Sequence, residues 1–277
     1  MRERASLTAL VVAGARAVAG VDPYAHMFLP PWLAERVDAA SFEKRRRAIA
    51  WLSFGLVTHI KHRTIAIDRA LAEATSHGVG QVVILGAGLD TRAYRMHELA
   101  ATTVYEVDHP ATQAMKLESV HFMKPGARML RHVAVNFERD ALGDALAAAG
   151  HQPDQPTAWV WEGVTMYLEP AAVQATLRTI ESQSAPSSTL IMTYMPRSLL
   201  NVPLLGPLLA RAPMASIGEP LRATYSPSEA RALLSRHGFE VAWDGQPNEW
   251  PHIHDGGFQF PLINERIAVA ERSGSHS

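Results

Sequence analysis

The chain has 277 residues and a hydrophobic content of 47%, enough for one large α/β domain whose core needs no covalent staples. Its 26 Lys and Arg nearly balance 27 Asp and Glu, and a formal charge of −1 provides no global field to gather nucleic acid or an anionic membrane. With no cysteine, disulfides, thiolate metal sites and a cysteine nucleophile are excluded, and a reducing compartment is favoured.

The N-terminal "MRERASLTALVVAGARAVAG" imitates a secretory signal, with a basic start, a short apolar run and "AVA". Arg16 interrupts it, so it reads as an amphipathic or lid helix in preference to a signal. No uninterrupted apolar run reaches the roughly 18 residues a spanning helix needs, and the chain reads as cytoplasmic. Residues 1–75 read as a helical N-terminal cap, with apolar residues at helical intervals through "SFEKRRRAIAWLSFGLVTHIKHRTIAIDRALAEA". Ser41, with Glu43 and Lys44 after it, suggests a helix start, and the run from Lys44 to Arg47 suggests a solvated face.

From Gln81 strands and helices alternate. "QVVIL", "TTVYEVD", "RMLRHVAVNF", "TAWVWEG", "STLIMTYM", "EVAW" and "ERIAVAER" read as seven strands. Helices are expected after Thr91, over "PATQAMKLESVHFM" with proline in its first turn, over "PAAVQATLRTIESQ" and over "PSEARALLSRHGF". Strands separated by helices imply right-handed crossovers, hence a doubly wound, Rossmann-like, mostly parallel sheet across residues 76–271. A Pro- and Leu-rich insertion at about 195–225 interrupts the pattern where an accessory lid or a packed surface subdomain would sit, and 272–277 reads as a disordered tail.

Open parallel sheets bind ligands beyond the carboxyl ends of their strands, where strand order reverses. Gly86 and Gly88 follow the first strand, where missing side chains let backbone approach a ligand and a helix N-terminus offers free N–H groups. A third glycine, as the dinucleotide pattern requires, would fall at Thr91, which weakens the pyrophosphate reading. Asp108 ends the second strand, twenty residues beyond Gly88, where a carboxylate can accept from both hydroxyls of a ribose. Glu106 reads as structural or as a second ribose contact. Asp90 and Arg92 read as an internal pair at the helix start, and His109 as a cap of the next helix.

Together, "GAGLDTRAYRM", "YEVDHP", "VNFERD" and "WEGVTMYL" resemble, in order and spacing, the leucine carboxyl methyltransferase family and its bacterial polyketide-type O-methyltransferase relatives. The resemblance begins at "DPYA" and runs over about residues 20–195. It implies a class I methyltransferase domain and S-adenosylmethionine as cofactor. Gly86 and Gly88 then hold the methionyl part, Arg63 in "KHRTIAID" pairs with its carboxylate and Asp108 holds the ribose. Asn136 and Phe137 lie beside the adenine, where relatives carry Asp before an apolar residue. Glu162 stands near the sulfonium, and Tyr167 lines the transfer channel as the candidate catalytic residue.

The implied reaction is O-methylation of a carboxylate or hydroxyl on a small-molecule, carrier-bound or peptide acceptor of polyketide or peptide type. A carboxylate needs no general base, whereas a phenol or enol would call on His26, His109, His252, His254 or Tyr167. The Trp-containing stretches "LPPWLAE" and "AWDGQPNEWPHIHD" either border the acceptor or pack. Two alternatives are a non-catalytic binding module retaining the fold, and an NAD-dependent reductase. The reductase would carry a Tyr-x-x-x-Lys pair, which Pro170 and Ala171 after Tyr167 do not supply.

Overall fold

The computed structural model describes residues 7–38, 53, 55–137, 139–197, 222–246, 249–250 and 264–274. Ser41, the Lys44–Arg47 run, most of the 195–225 insertion, His252, His254 and the final three residues lie outside the described residues. Helices α1 (Leu7–Ala19), α2 (Pro31–Asp38) and α3 (Leu56–Ser76) precede the sheet. The strands are β1 (Gln81–Leu85), β2 (Thr103–Asp108), β3 (Met129–Ala134), β4 (Thr157–Trp161), β5 (Thr189–Tyr194), β6 (Phe239–Gly245) and β7 (Arg266–Arg272). Between them run α4 (Arg92–Arg95), α5 (Pro110–Val120), α6 (Leu142–Ala148), α7 (Pro170–Ser182) and α8 (Pro227–Arg236).

All seven expected strands form one sheet in the order β3-β2-β1-β4-β5-β7-β6. The first five are parallel, while β7 runs antiparallel to both β5 and β6. Order therefore reverses between β1 and β4, which opens a crevice beyond their carboxyl ends.

Alternation along each strand sorts the core into two layers. Val82, Ile84, Val104, Val160 and Ile191 pack with Ile67 and Leu71 of α3. On the opposite face, Val83, Leu85, Trp159, Trp161 and Met192 meet Leu177 of α7 and Leu234 of α8. Each fully buried aliphatic contributes roughly 1.5–3 kcal/mol, which makes this two-sided burial the main support of the sheet. The buried stripe of α3 is Ile60, Arg63, Ile67, Leu71 and Ala74. Helical spacing thus places Arg63 among buried apolar residues, with His59, His62 and Thr64 also buried along the helix.

Two local expectations are corrected. The helix after Thr91 is a single turn, because Met96 is already extended and a 3₁₀ turn follows at His97–Leu99. Helix α6 stands between β3 and β4, where no helix was expected; only Leu142 and Leu146 of its seven residues are buried, too few to show a period. The entries to α5 and α8 follow the sequence signals. His109 Nδ1 accepts from Ala111 N at 3.2 Å, and Ser226 and Glu229 form a reciprocal capping box behind Pro227.

Candidate active site

A cavity of about 370 Å³ occupies the crevice, within the range of small-molecule sites of about 300–1,000 Å³. Gly86, Gly88, Asp90, Asp108, Phe137, Arg63, Glu162 and Tyr167 all line it, so fragments distant in sequence share one wall. Asn136 is not part of the lining. Its carbonyl accepts from the amides of Arg139 and Asp140, each at 2.9 Å, and its own amide donates to Asp140 Oδ2 at 2.8 Å. This places Asn136 in a turn behind Phe137.

Gly86 and Gly88 have φ of +65° and +50°, a region that side chains rarely adopt. A Cβ at Gly86 would overlap the Val164 side chain, and one at Gly88 would stand 3.3 Å from Ala9 Cβ. The turn is thus pressed between the segment after β4 and helix α1. Gly88 N donates to Asp108 Oδ2, and His109 N donates to Asp108 Oδ1 at 2.5 Å. Burial raises the Asp108 pKa, and these two donors only partly offset it.

The N–H groups expected to face a ligand are therefore partly used within the protein. Arg92 N is taken as well, donating to Asp90 Oδ1 at 2.7 Å. Thr91, in the place of a third glycine, donates through Oγ1 to Asp22 Oδ1 at 2.7 Å, tying the "DPYA" segment to the glycine turn. A glycine there would remove that bond.

Behind the turn lies a cluster of buried charges. Glu162 Oε1 accepts from Arg16 Nη2 at 2.8 Å and Arg63 Nε at 2.9 Å, while Oε2 accepts from Arg92 Nη1 at 2.7 Å. Burial alone would raise the Glu162 pKa, but Arg16, Arg92 and Arg63 hold it well below the ordinary carboxylate value. Arg63 Nη1 also donates to Glu265 Oε2 at 2.7 Å. Burial would lower the Arg63 pKa, and the carboxylates of Glu265 and Glu162 raise it instead. Arg92 is fully buried and further pairs with Asp90 and Asp68. The Asp90–Arg92 pair was legible as architecture.

Sequence reasoning does not recognise Arg16, Glu265 and His59 as parts of this cluster. Arg16 lines the cavity with Thr8, Ala9 and Val12 of the same helix, so α1 closes one side of the site. Its signal is an arginine on a helix of alanines and valines, which by itself says only that an apolar run is interrupted. Glu106 is structural: it is 1% exposed, accepts from Lys116 Nζ at 2.5 Å and is no part of the lining. Trp243 and Trp250 pack into the core and Trp32 is exposed, so none of the three borders the cavity.

Tyr167, Leu168, Glu169, Ala172 and Arg222 also line the cavity. Arg222 returns the chain from the insertion, and its amide donates to Met166 O at 2.7 Å. Its guanidinium pairs with Glu169 at 2.9 Å, with both groups partly in solvent. Among the described residues no helix is long and apolar enough to cross a membrane, and no acidic or histidine cluster is arranged to hold a metal ion.

A doubly wound sheet with a glycine turn, a strand-end acid and a crevice at the switch point defines a Rossmann-like protein built for a nucleoside cofactor. The chain belongs to the leucine carboxyl methyltransferase family, whose model matches residues 5–181. It is 35% identical over 227 residues to a Streptomyces coelicolor protein provisionally named an S-adenosyl-L-methionine-dependent methyltransferase, covering 80% of this chain and 75% of that one. A relative of the same provisional name in Mycolicibacterium paratuberculosis is 35% identical over 252 residues, covering 86% of this chain and 74% of its own. Among solved structures, a DUF574 family protein of Streptomyces avermitilis shares the fold with a TM-score of 0.64 at 18% identity, covering 95% and 97% of the two chains.

Proposed function

We propose that the protein methylates a carboxylate oxygen of a small apolar acceptor, of polyketide or peptide type, free or carrier-bound, with a hydroxyl acceptor as the alternative. S-adenosylmethionine is the cofactor, and dependence on it follows from the family and from the relatives' names. The observation that carries the proposal is the meeting of Gly86, Gly88, Asp108, Phe137, Arg63 and Glu162 on one cavity that continues to Tyr167 and Arg222.

These residues fit the cofactor's parts. Asp108 stands where it can accept from the ribose hydroxyls, and Phe137 offers an apolar face to the adenine. Arg16, Arg63, Arg92 and Arg95 meet the carboxylates of Glu162, Asp90, Glu265 and Asp68, so the charges of the cluster nearly cancel. A nearly neutral, pre-oriented cluster suits a zwitterionic amino-acid group, because both of its charges find a partner without leaving an unpaired ion in the wall.

When bound, S-adenosylmethionine supplies a methyl group activated by a sulfonium. The protein has to align the acceptor oxygen and exclude water, and positioning alone contributes several kcal/mol. Leu168 and Ala172 give an apolar wall, and Tyr167 lines the same cavity. A carboxylate is already ionised at neutral pH and needs no base. Arg222, paired with the half-solvated Glu169, can exchange that partner for an acceptor carboxylate at small cost, since such pairs are worth about 0–1 kcal/mol.

Calorimetry with S-adenosylhomocysteine and with NAD tests the cofactor; binding of NAD alone would end the proposal. Labelled methyl transfer to decanoate, but not to decanol, is the expected acceptor result. The reverse preference would establish the hydroxyl reading.

A further inference from the structure

We propose that Glu265, held in place by His59, is a positioning residue that aims Arg63 at the amino-acid end of the cofactor. The proposal rests on the assignment of Arg63 to the cofactor carboxylate. Glu265 immediately precedes β7, outside residues 5–181 matched by the family model, and is brought to Arg63 by the pairing of β7 with β5.

A guanidinium on a long side chain has several rotamers, and one carboxylate does not select among them. Arg63 is fixed at two corners: Nε by Glu162 and Nη1 by Glu265, at 2.9 and 2.7 Å. Glu162 also serves Arg16 and Arg92, so it can shift with them. Glu265 Oε2 is shared between Arg63 and His59, and its side chain is 4% exposed. Neither carboxylate takes Nη2, and the guanidinium as a whole lies within 4 Å of where a Cβ of Gly163 would stand, both residues lining the cavity. Nη2 is left to meet a ligand carboxylate.

His59 secures Glu265 in turn. Its Nε2 lies 2.8 Å from Glu265 Oε2, its ring packs against Trp250 at 5.3 Å, and its Nδ1 is buried with no hydrogen-bond partner among the described residues. The ionised Glu265 can only accept, so Nε2 carries the hydrogen and Nδ1 is bare. A proton on Nδ1 would be buried without an acceptor, in keeping with the lowered pKa that burial gives this ring. His59 is thus a neutral, one-tautomer donor, and neither His59 nor Glu265 lines the cavity.

The test separates aiming from mere support by using two ligands. S-adenosylhomocysteine has the amino-acid end and 5′-methylthioadenosine lacks it. By calorimetry, Glu265→Gln is expected to weaken S-adenosylhomocysteine roughly ten-fold, the scale of one charged hydrogen bond, while methylthioadenosine affinity stays within about two-fold. With Arg63→Ala as the background, Glu265→Gln should have no further effect on either ligand. His59→Leu should reproduce the selective loss, and His59→Gln, whose amide can still donate, should restore it.

Equal weakening of both ligands, or of neither, overturns the proposal. If Glu265→Gln no longer melts cooperatively, the same ratio measured on His59→Leu decides the matter. If Arg63→Ala itself spares the preference for S-adenosylhomocysteine, the assignment of Arg63 fails. Wild-type protein that binds neither ligand sinks the cofactor reading instead.

Discussion

Asp108, at the tip of β2, accepts the backbone N–H of Gly88, twenty positions earlier at the end of β1. The strand-end acid and the glycine turn are therefore one unit, in which the turn orients the carboxylate before any ligand arrives. Asp108→Ala should weaken S-adenosylhomocysteine and methylthioadenosine alike, because both carry the ribose. Loss equivalent to one charged hydrogen bond, about 1.5–3 kcal/mol, predicts a drop of roughly 10- to 100-fold by calorimetry. A selective effect on one ligand would place Asp108 elsewhere.

Glu162 is the single carboxylate shared by Arg16, Arg63 and Arg92. Glu162→Gln leaves those buried guanidiniums short of one countercharge. Breaking a buried pair costs about 3–5 kcal/mol, and at about 2–4 °C per kcal/mol for a large domain the Tm should fall by roughly 6–20 °C. Thermal denaturation followed by circular dichroism checks this; an unchanged Tm would show that the arginines find water or other acceptors instead.

The glycine turn makes a different prediction. At Gly86 a methyl group would overlap Val164 and the backbone is already at φ +65°. Gly86→Ala should therefore displace Val164 and the segment leading to Tyr167, lowering Tm as well as cofactor affinity. At Gly88 the nearest atom to an added methyl is Ala9 Cβ at 3.3 Å. Gly88→Ala should press mainly on α1 and lose less stability than Gly86→Ala. The opposite ranking in paired thermal melts would contradict the packing described.

What was legible in the sequence follows from where each signal lives. The central strands β1, β4 and β5 were readable because two-sided burial gives runs such as "QVVIL" and "TAWVW", whose character depends on few neighbours. That Gly86, Gly88 and Asp108 would share one crevice was readable because position at a strand end constrains where they lie. The pairing of Arg63 with Glu265 was not, since 202 residues separate them and only the antiparallel return of β7 brings them together. Arg16 was visible as an arginine on an apolar helix, but its partner Glu162, 146 positions away, was not. Asn136 lies outside the cavity lining because the strand before it ends at Ala134, and the turn that follows puts Phe137 on the lining.

The charged cluster also sets how stability depends on pH. The folded pKa of His59 lies below its ordinary value of 6.5, so the unfolded chain takes up its proton first, and stability falls as pH drops from about 6.5 toward the folded value. Glu265, lowered from 4.5 to about 2, and Glu162, lowered well below 4.5, contribute stability that is complete above their unfolded values and lost as pH falls through the folded ones. Asp90 acts in the same direction below 3.8. His151, whose pKa burial also lowers, acts as His59 does. Asp108, whose pKa is raised, acts oppositely and regains stability on protonation, but it is outweighed by these groups. Tm should thus be level from about pH 7 to about pH 9, decline gently below about 6.5 and drop steeply below about 4.5. In His59→Gln the gentle upper decline should shrink to the part contributed by His151, whose pKa burial also lowers, while the steep lower one persists. A Tm that rises on acidification from about pH 7 to about pH 5 would mean that His59 is not held neutral in the folded protein.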